Sequence, residues 1–154
     1  MQMLRFIFLF SSTSIFAIQN GPVASKINSS GYTPPDMARS ERCDLFEDRI
    51  EVIRSFGQGM ILKEVHPFKR QGSLIDLVNL VNLEKEETFD NYLCDAPSTT
   101  MVAYQKTSEG VKKLMLYTTG GCGSPAIRRQ GTASERIQDI LAIYCPKTRK
   151  LIRP

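Results

Sequence analysis

The sequence lacks the residue patterns on which common metal, cofactor and serine-enzyme sites are built. It has a single histidine, His66, and its four cysteines form no CxxC pair. Zinc sites draw on closely spaced cysteines and histidines, so no metal site is predicted. The GxGxxG, P-loop and GxSxG motifs are also absent, and with them the usual loops for dinucleotides, nucleotide phosphates and a serine nucleophile. We therefore predict no cofactor.

Long hydrophobic runs are absent as well. The longest apolar stretch begins at Phe6 and is interrupted at residues 11–14, whereas a membrane-spanning helix needs about 20 apolar residues. Arg5 precedes the stretch and Ala17 follows it at a plausible cleavage position, a layout typical of a secretory signal peptide. We predict a signal peptide at residues 1–17 and a secreted protein, extracellular or periplasmic, without a membrane span. A buried N-terminal strand or helix is the alternative.

The net charge of the chain is modest. It is +4 at neutral pH, and loss of Arg5 with the signal peptide would lower it by one. Such a charge does not call for a nucleic-acid partner, so we expect an unidentified protein or an acidic surface instead. Residues 147–154 form a basic tail that can bind an acidic surface, although a solvated, mobile terminus is the interpretation we favour for it.

The four cysteines, Cys43, Cys94, Cys122 and Cys145, form an even number. In an exported chain this predicts two disulfides. We favour Cys43 with Cys94, on either side of the first predicted sheet-and-helix unit, and Cys122 with Cys145, on either side of the last predicted helix. The main rival joins Cys94 to Cys145.

Periodicity in the first half predicts a hairpin followed by a helix. Alternating residues predict a strand over 46–56, and the glycines of residues 57–59 turn the chain into a return strand over 60–65. Ser73 is predicted to cap the N-terminus of the helix with its side chain, and Asp76, three residues later, completes a capping box. Its apolar face consists of Leu74, Leu77, Val78 and Val81.

The second half repeats this order. Residues 83–94 are predicted to extend the first helix or to form a short second one. Strands are then predicted over 100–106 and 111–118, and Thr132 with Glu135 forms a capping pair at the start of the last helix. The apolar stripe of that helix consists of Ile137, Ile140, Leu141 and Tyr144.

These elements predict an α+β domain over residues 43–146. A four-stranded antiparallel sheet in ββαββα order would carry two helices on one face, stabilised by disulfides. Residues 18–42 are rich in Ser, Pro, Gly and Asn without periodicity, so we predict an extended or disordered N-terminal segment there.

The stretch at residues 118–131 holds four of the ten glycines together with Cys122. A cysteine nucleophile needs a base, and the only histidine, His66, lies at a predicted strand end. An anion-binding loop ahead of a helix is a second interpretation, but its motif is incomplete. A turn pinned by a disulfide is the interpretation we favour, because the glycines let Cys122 reach a partner without strain.

A pinned loop also offers a rigid contact surface, and rigidity lowers the entropic cost of binding. The predicted binding residues are Ser124, Ile127, Arg128 and Arg129. We therefore expect a non-catalytic binding or inhibitory module that acts on another protein or an envelope polymer. The alternative is an exported hydrolase whose site is assembled around Cys122 or scattered carboxylates, although the charged run that contains Glu86 and Glu87 is typical of a solvated surface.

Overall fold

A computed structural model describes residues 21–31, 34, 38–90, 96–121 and 123–145. Within these residues the chain forms eight strands and two helices. The strands are β1 (Ala24–Ser29), β2 (Arg39–Leu45), β3 (Arg49–Phe56), β4 (Ile61–Pro67), β5 (Lys85–Phe89), β6 (Ser98–Thr107), β7 (Gly110–Thr118) and β8 (Ala126–Gln130). The helices are α1 (Leu74–Val81) and α2 (Thr132–Tyr144).

All eight strands belong to one antiparallel sheet in the order β4-β3-β2-β1-β6-β7-β8-β5. The expected four-stranded sheet in ββαββα order was therefore wrong. The two predicted hairpins, β3–β4 and β6–β7, are present, but β1 and β2 lie between them. Strands β8 and β5 extend the sheet beyond β7, which leaves β4 and β5 as its two edges.

Strand β1 lies at the centre of the sheet, in the segment expected to be extended or disordered. Hydrophobic periodicity misses it because several of its buried side chains are polar. The Ser25 hydroxyl donates to the Asp44 carboxylate, and the Asn28 carbonyl oxygen accepts from the Thr99 hydroxyl at 2.9 Å. Such partners offset the cost of burying polar groups, so a strand of mixed polarity is stable there.

Strand β5 replaces the helix expected within residues 83–94. Its glutamates are satisfied across the sheet, since Glu86 bonds Arg129, which lies directly opposite it, and Glu87 bonds Gln130 of β8. Opposite charges in directly paired positions stabilise a sheet. Cross-strand pairing with β8, which is distant in sequence, therefore decides this conformation.

Helix α1 begins as the sequence predicts. The Ser73 hydroxyl accepts from Asp76 N–H at 3.3 Å, and the four predicted apolar residues are buried. The Glu47 carboxylate adds a second cap, because it accepts from Ile75 N–H at 2.9 Å. A carboxylate also suits the positive end of the helix dipole.

Helix α2 does not use the predicted capping pair of Thr132 and Glu135. Gly131 is the N-cap residue and makes no side-chain hydrogen bond. The carboxylate of Glu84 instead accepts from Ala133 N–H at 2.7 Å and from Ser134 N–H at 2.9 Å. A Cβ at Gly131 would overlap the Glu84 side chain, so glycine is required for this approach. A residue almost fifty positions away thus caps the helix.

The core lies between the sheet and the two helices. Helix α1 packs on β6 and on α2, while α2 packs on β1, β7 and β8. The largest fully buried apolar side chains are Leu45, Leu74, Leu116, Ile137 and Leu141. Within the described residues, neither helix is long and apolar enough to cross a membrane.

A disulfide joins Cys43 of β2 to Cys145 at the end of α2, with a Cα–Cα distance of 5.8 Å. The favoured pairing of Cys43 with Cys94 and Cys122 with Cys145 was therefore wrong, and so was its rival, Cys94 with Cys145. The bond ties the helix end to the middle of the sheet, a contact that only becomes visible once β2 is known to be central. Cys94 and Cys122 lie outside the described residues.

Candidate protein-binding edge

The predicted binding residues differ in exposure, because three of them are at least partly accessible to solvent and the fourth, Arg129, is buried. Ser124 is exposed in the loop before β8, Ile127 is half-buried within β8, and Arg128 is exposed beside it. Arg129 is only 9% exposed. The expected continuous loop is thus partly a strand, and its four candidates do not form one surface.

Arg129 is bound within the protein itself. Its guanidinium donates to the Met115 carbonyl at 3.0 Å and to the Glu84 carbonyl at 2.7 Å. It also bonds the Glu86 carboxylate at 2.5 Å. These contacts join β7, β8 and the start of β5, so Arg129 stabilises this end of the sheet and is not available to a partner.

The glycine-rich loop is tightly folded on either side of Cys122. Gly121 and Ser124 form an isolated bridge with N–O distances of 3.1 and 3.0 Å. Gly120 has a φ of +72°, and a Cβ there would lie 2.7 Å from Ala126 N. The glycine is needed for both reasons. The nucleophile proposed at Cys122 falls outside the described residues.

Carboxylates on the β2–β3–β4 part of the sheet are held by arginines. Arg54 bonds Glu41 at 2.9 Å and Glu64 at 2.6 Å, and its hydrogen bond lowers the pKa of Glu64. The hydrogen bond from Arg49 likewise lowers the pKa of Glu51. Arginines therefore favour the charged form of Glu51 and Glu64, whereas a general acid needs a raised pKa. No group of three metal-ligand side chains occurs within the described residues.

Strand β4 forms one edge of the sheet, and every one of its residues is exposed. Its large apolar side chains are uncovered: Ile61 is 65% exposed, Leu62 46% and Val65 54%. Met60, directly before the strand, is 54% exposed. Alternation places Ile61 and Val65 on the face away from the helices and Leu62 on the opposite face. The edge therefore exposes apolar side chains on both faces, beside Lys63 on the first face and Glu64 and His66 on the second.

The backbone of β4 presents a row of hydrogen-bonding groups away from the sheet. Phe56 N–H donates to the Met60 carbonyl at 3.0 Å, which fixes the phase of the β3–β4 ladder. Antiparallel pairs alternate between bonded and non-bonded, so every second residue counted from Met60 bonds to β3. The residues between them direct their N–H and C=O groups outward: Ile61, Lys63 and Val65.

Lysine and proline commonly protect an edge strand from pairing. Here the Lys63 ammonium bonds Glu51 of β3 at 3.0 Å, so its charge is drawn back over the sheet. Pro67 occupies the next outward position after Val65 and has no N–H to donate. It ends the outward row without blocking the three residues before it.

A groove of about 380 Å³ opens beside the start of β4, at the β3–β4 turn. Its walls include Arg39, Phe56 and Met60, and residues 57–59 form the turn. The Arg39 guanidinium lies 6.0 Å from the centre of the Phe56 ring. The apolar surface of β4 therefore continues past the start of the strand to Phe56, with the positive charge of Arg39 beside it.

Other exposed apolar side chains of the described structure lie on or next to α1, β5, β7 and α2, away from β4 in the sequence. They are Leu80, Leu83, Phe89, Val111, Ile143 and Tyr144. The sequence predicted β4 as a hairpin partner but not as an edge, because strand order is not encoded in periodicity. One feature of the sequence did point to an unusual strand. Residues 60–62 are consecutive apolar residues, and such a run places apolar side chains on both faces of a strand.

No family model, curated protein or solved structure matches this chain.

Proposed function

We propose that this protein is a secreted or periplasmic, disulfide-bonded, non-catalytic module that binds another protein by accepting an extended segment of it as a ninth strand beside β4. The observation that carries the proposal is the exposed, apolar β4 edge with three outward-facing residues. Strand addition gains affinity from main-chain hydrogen bonds and specificity from side chains on both faces. The ion-paired carboxylates disfavour the alternative, a hydrolase with a site built from scattered carboxylates.

A second copy of this chain suits the β4 edge poorly. A two-fold antiparallel pairing that uses Ile61, Lys63 and Val65 of both copies places Lys63 directly opposite itself. Like charges in that position destabilise a pair. A register centred on Glu64 places that residue opposite itself and sets Ile61 against Pro67, which has no N–H. A register centred on Leu62 avoids like charges but sets Val65 against Gly59 of the turn, so one of the three outward residues is lost. A partner of different sequence can use all three outward residues without a like-charge pair.

The proposal is tested with Val65→Pro, which removes one outward N–H. The ladder between β3 and β4 does not use this N–H, so the fold is expected to persist. Peptides are first selected from a display library of random linear sequences on the whole oxidised chain. We expect their binding to weaken by about tenfold or more on Val65→Pro, the effect of losing one hydrogen bond and disturbing its neighbours.

Val65→Thr is the matched control, because it keeps the β-branch and the outward N–H. Peptide affinity on Val65→Thr should stay within about threefold of the original, the effect expected for one partly exposed methyl group. Equal binding to the original chain and to Val65→Pro would contradict the proposal. So would a selection that yields no peptides, a stable dimer in sedimentation analysis, or selective retention on an envelope polysaccharide that Val65→Pro does not reduce.

A further inference from the structure

We propose that the groove at the β3–β4 turn recognises an acidic side chain, Asp or Glu, that flanks a large apolar residue in the segment bound to β4. This inference rests on the proposed function and adds a specificity to it. The acidic side chain would pair with Arg39, and the apolar neighbour would enter between Phe56 and Met60.

Arg39 differs from the other arginines of this part of the sheet. Arg42, Arg49 and Arg54 each bond a carboxylate at 2.6 to 3.0 Å. Arg39 is exposed and forms no ion pair within the described residues. A guanidinium binds a carboxylate through two parallel hydrogen bonds, so this is the arginine here whose charge is open to a partner.

The position of Arg39 favours such a contact. Arg39 lies directly opposite Phe56 in the β2–β3 register, and its guanidinium stays near that ring. Stacking near an aromatic ring restricts the rotamers of an arginine and so reduces the entropy lost when it binds. The same ring forms an apolar wall of the groove. One site therefore combines a cation with an apolar surface.

The groove also lies where a bound segment would pass. The outward row of β4 begins at Ile61, and the residue before it, Met60, lines the groove. A segment paired with Ile61, Lys63 and Val65 that continues past Ile61 reaches the turn within one or two residues, given about 3.3 Å per residue of extended chain. Its flanking side chains can then enter the groove from the edge of the sheet.

The test uses the display library selected in parallel on the original chain and on Arg39→Gln. We expect Asp or Glu next to a large apolar residue to be enriched at one end of the peptides selected on the original chain, and this enrichment to be lost on Arg39→Gln. Arg136→Gln is the charge-matched control, because Arg136 is exposed on α2. Selection on this control should keep the acidic residue.

A selected peptide is then compared with its own Asp→Asn or Glu→Gln version by fluorescence polarisation. On the original chain the amide version should bind about fivefold more weakly, the upper range for an exposed ion pair. On Arg39→Gln the two versions should differ by less than about twofold, which isolates the pairwise contact.

The outcomes separate the two proposals. Peptides that depend on Val65 but show no acidic preference would overturn the groove inference and leave strand addition standing. An acidic preference that persists on Arg39→Gln would also overturn the inference. Peptides that bind equally to Val65→Pro would overturn the proposed function and, with it, the groove inference.

Discussion

Strands β4 and β5 occupy the two ends of the same sheet, and their side chains differ in kind. In β5 three of five residues are charged, Lys85, Glu86 and Glu87, and only Phe89 is large and apolar. In β4 the consecutive apolar pair Ile61 and Leu62 and the later Val65 are exposed. Both strands lie open to solvent, but only one offers an apolar surface.

The charges of β5 also belong to the fold. Glu86 bonds Arg129, Glu87 bonds Gln130, and the residue before β5, Glu84, caps helix α2. At β4 the ion pairs of Lys63 and Glu64 reach back over the sheet to Glu51 and Arg54. The comparison teaches that the two edges differ in the apolar side chains they expose, since charged side chains of both strands are paired within the sheet.

The largest expected effect on the free energy of unfolding comes from removing the disulfide between β2 and α2. Replacing both Cys43 and Cys145 with alanine removes a bond that spans 102 residues. In the chain-entropy model a loop of this length stabilises the fold by about 4 to 5 kcal/mol, less any strain. We expect urea unfolding of the double variant to show a loss of that order. A loss below about 1 kcal/mol, or a peptide map that pairs Cys43 with another cysteine, would contradict the structure.

Arg129 and Arg128 provide the next test, since adjacent residues of β8 have opposite roles. Arg129→Gln leaves the Met115 and Glu84 carbonyls without their donor and should cost about 2 to 3 kcal/mol of unfolding free energy. Arg128→Gln changes an exposed side chain and should stay within about 0.5 kcal/mol. Thermal unfolding of the two variants measures the difference. Equal losses would remove the structural role assigned to Arg129.

Glu84 and Glu135 compare the observed cap of α2 with the one that the sequence suggests. Glu84→Ala removes the acceptor of the Ala133 and Ser134 N–H groups and should cost about 1 to 2 kcal/mol. Glu135→Ala removes a first-turn carboxylate that forms no such bond and should cost less than about 0.5 kcal/mol. Denaturant midpoints compare the two. Peptide binding at β4 should be unchanged in Glu84→Ala, and a weakened affinity would argue that the edges are coupled.

Acid has the smallest expected effect, and it acts on the β4 side. The folded pKa values of Glu51 and Glu64 are lowered by hydrogen bonds from Arg49 and Arg54. A lowered folded pKa gives stability that is present above the unfolded value of about 4.5 and is lost as the pH falls through the folded pKa. We expect a slight decrease in melting temperature below about pH 4.5. Glu51→Gln with Glu64→Gln should flatten this part of the pH profile, and an unchanged profile would contradict the assignment.

Local sequence signals predicted the parts of the fold that local interactions decide. The β3–β4 and β6–β7 hairpins and helix α1 were found because periodicity, turn glycines and the Ser73 cap all act over a few residues. The start of α2 was placed within one residue, but its cap was wrong. Glu84 supplies that cap from a distant part of the chain, so no local motif reveals it.

The parts that were missed depend on contacts between distant segments. Buried polar residues of strand β1 such as Ser25 and Asn28 are satisfied by β2 and β6, and β5 pairs with β8, more than thirty residues further along the chain. The surroundings of the predicted binding residues were missed for the same reason. Arg129 resembled a surface residue in the sequence, and the edge position of β4 follows from a strand order that periodicity does not contain.

The central claim, that β4 accepts a strand, is tested most directly by amide hydrogen exchange with and without a selected peptide. The account predicts that the amides of Ile61, Lys63 and Val65 exchange rapidly in the free protein and slow by about tenfold or more when the peptide is bound, as outward N–H groups gain acceptors. The β5 amides should not change. Protection at β5 or around Ser124, with the three β4 amides still exchanging rapidly, would contradict the account.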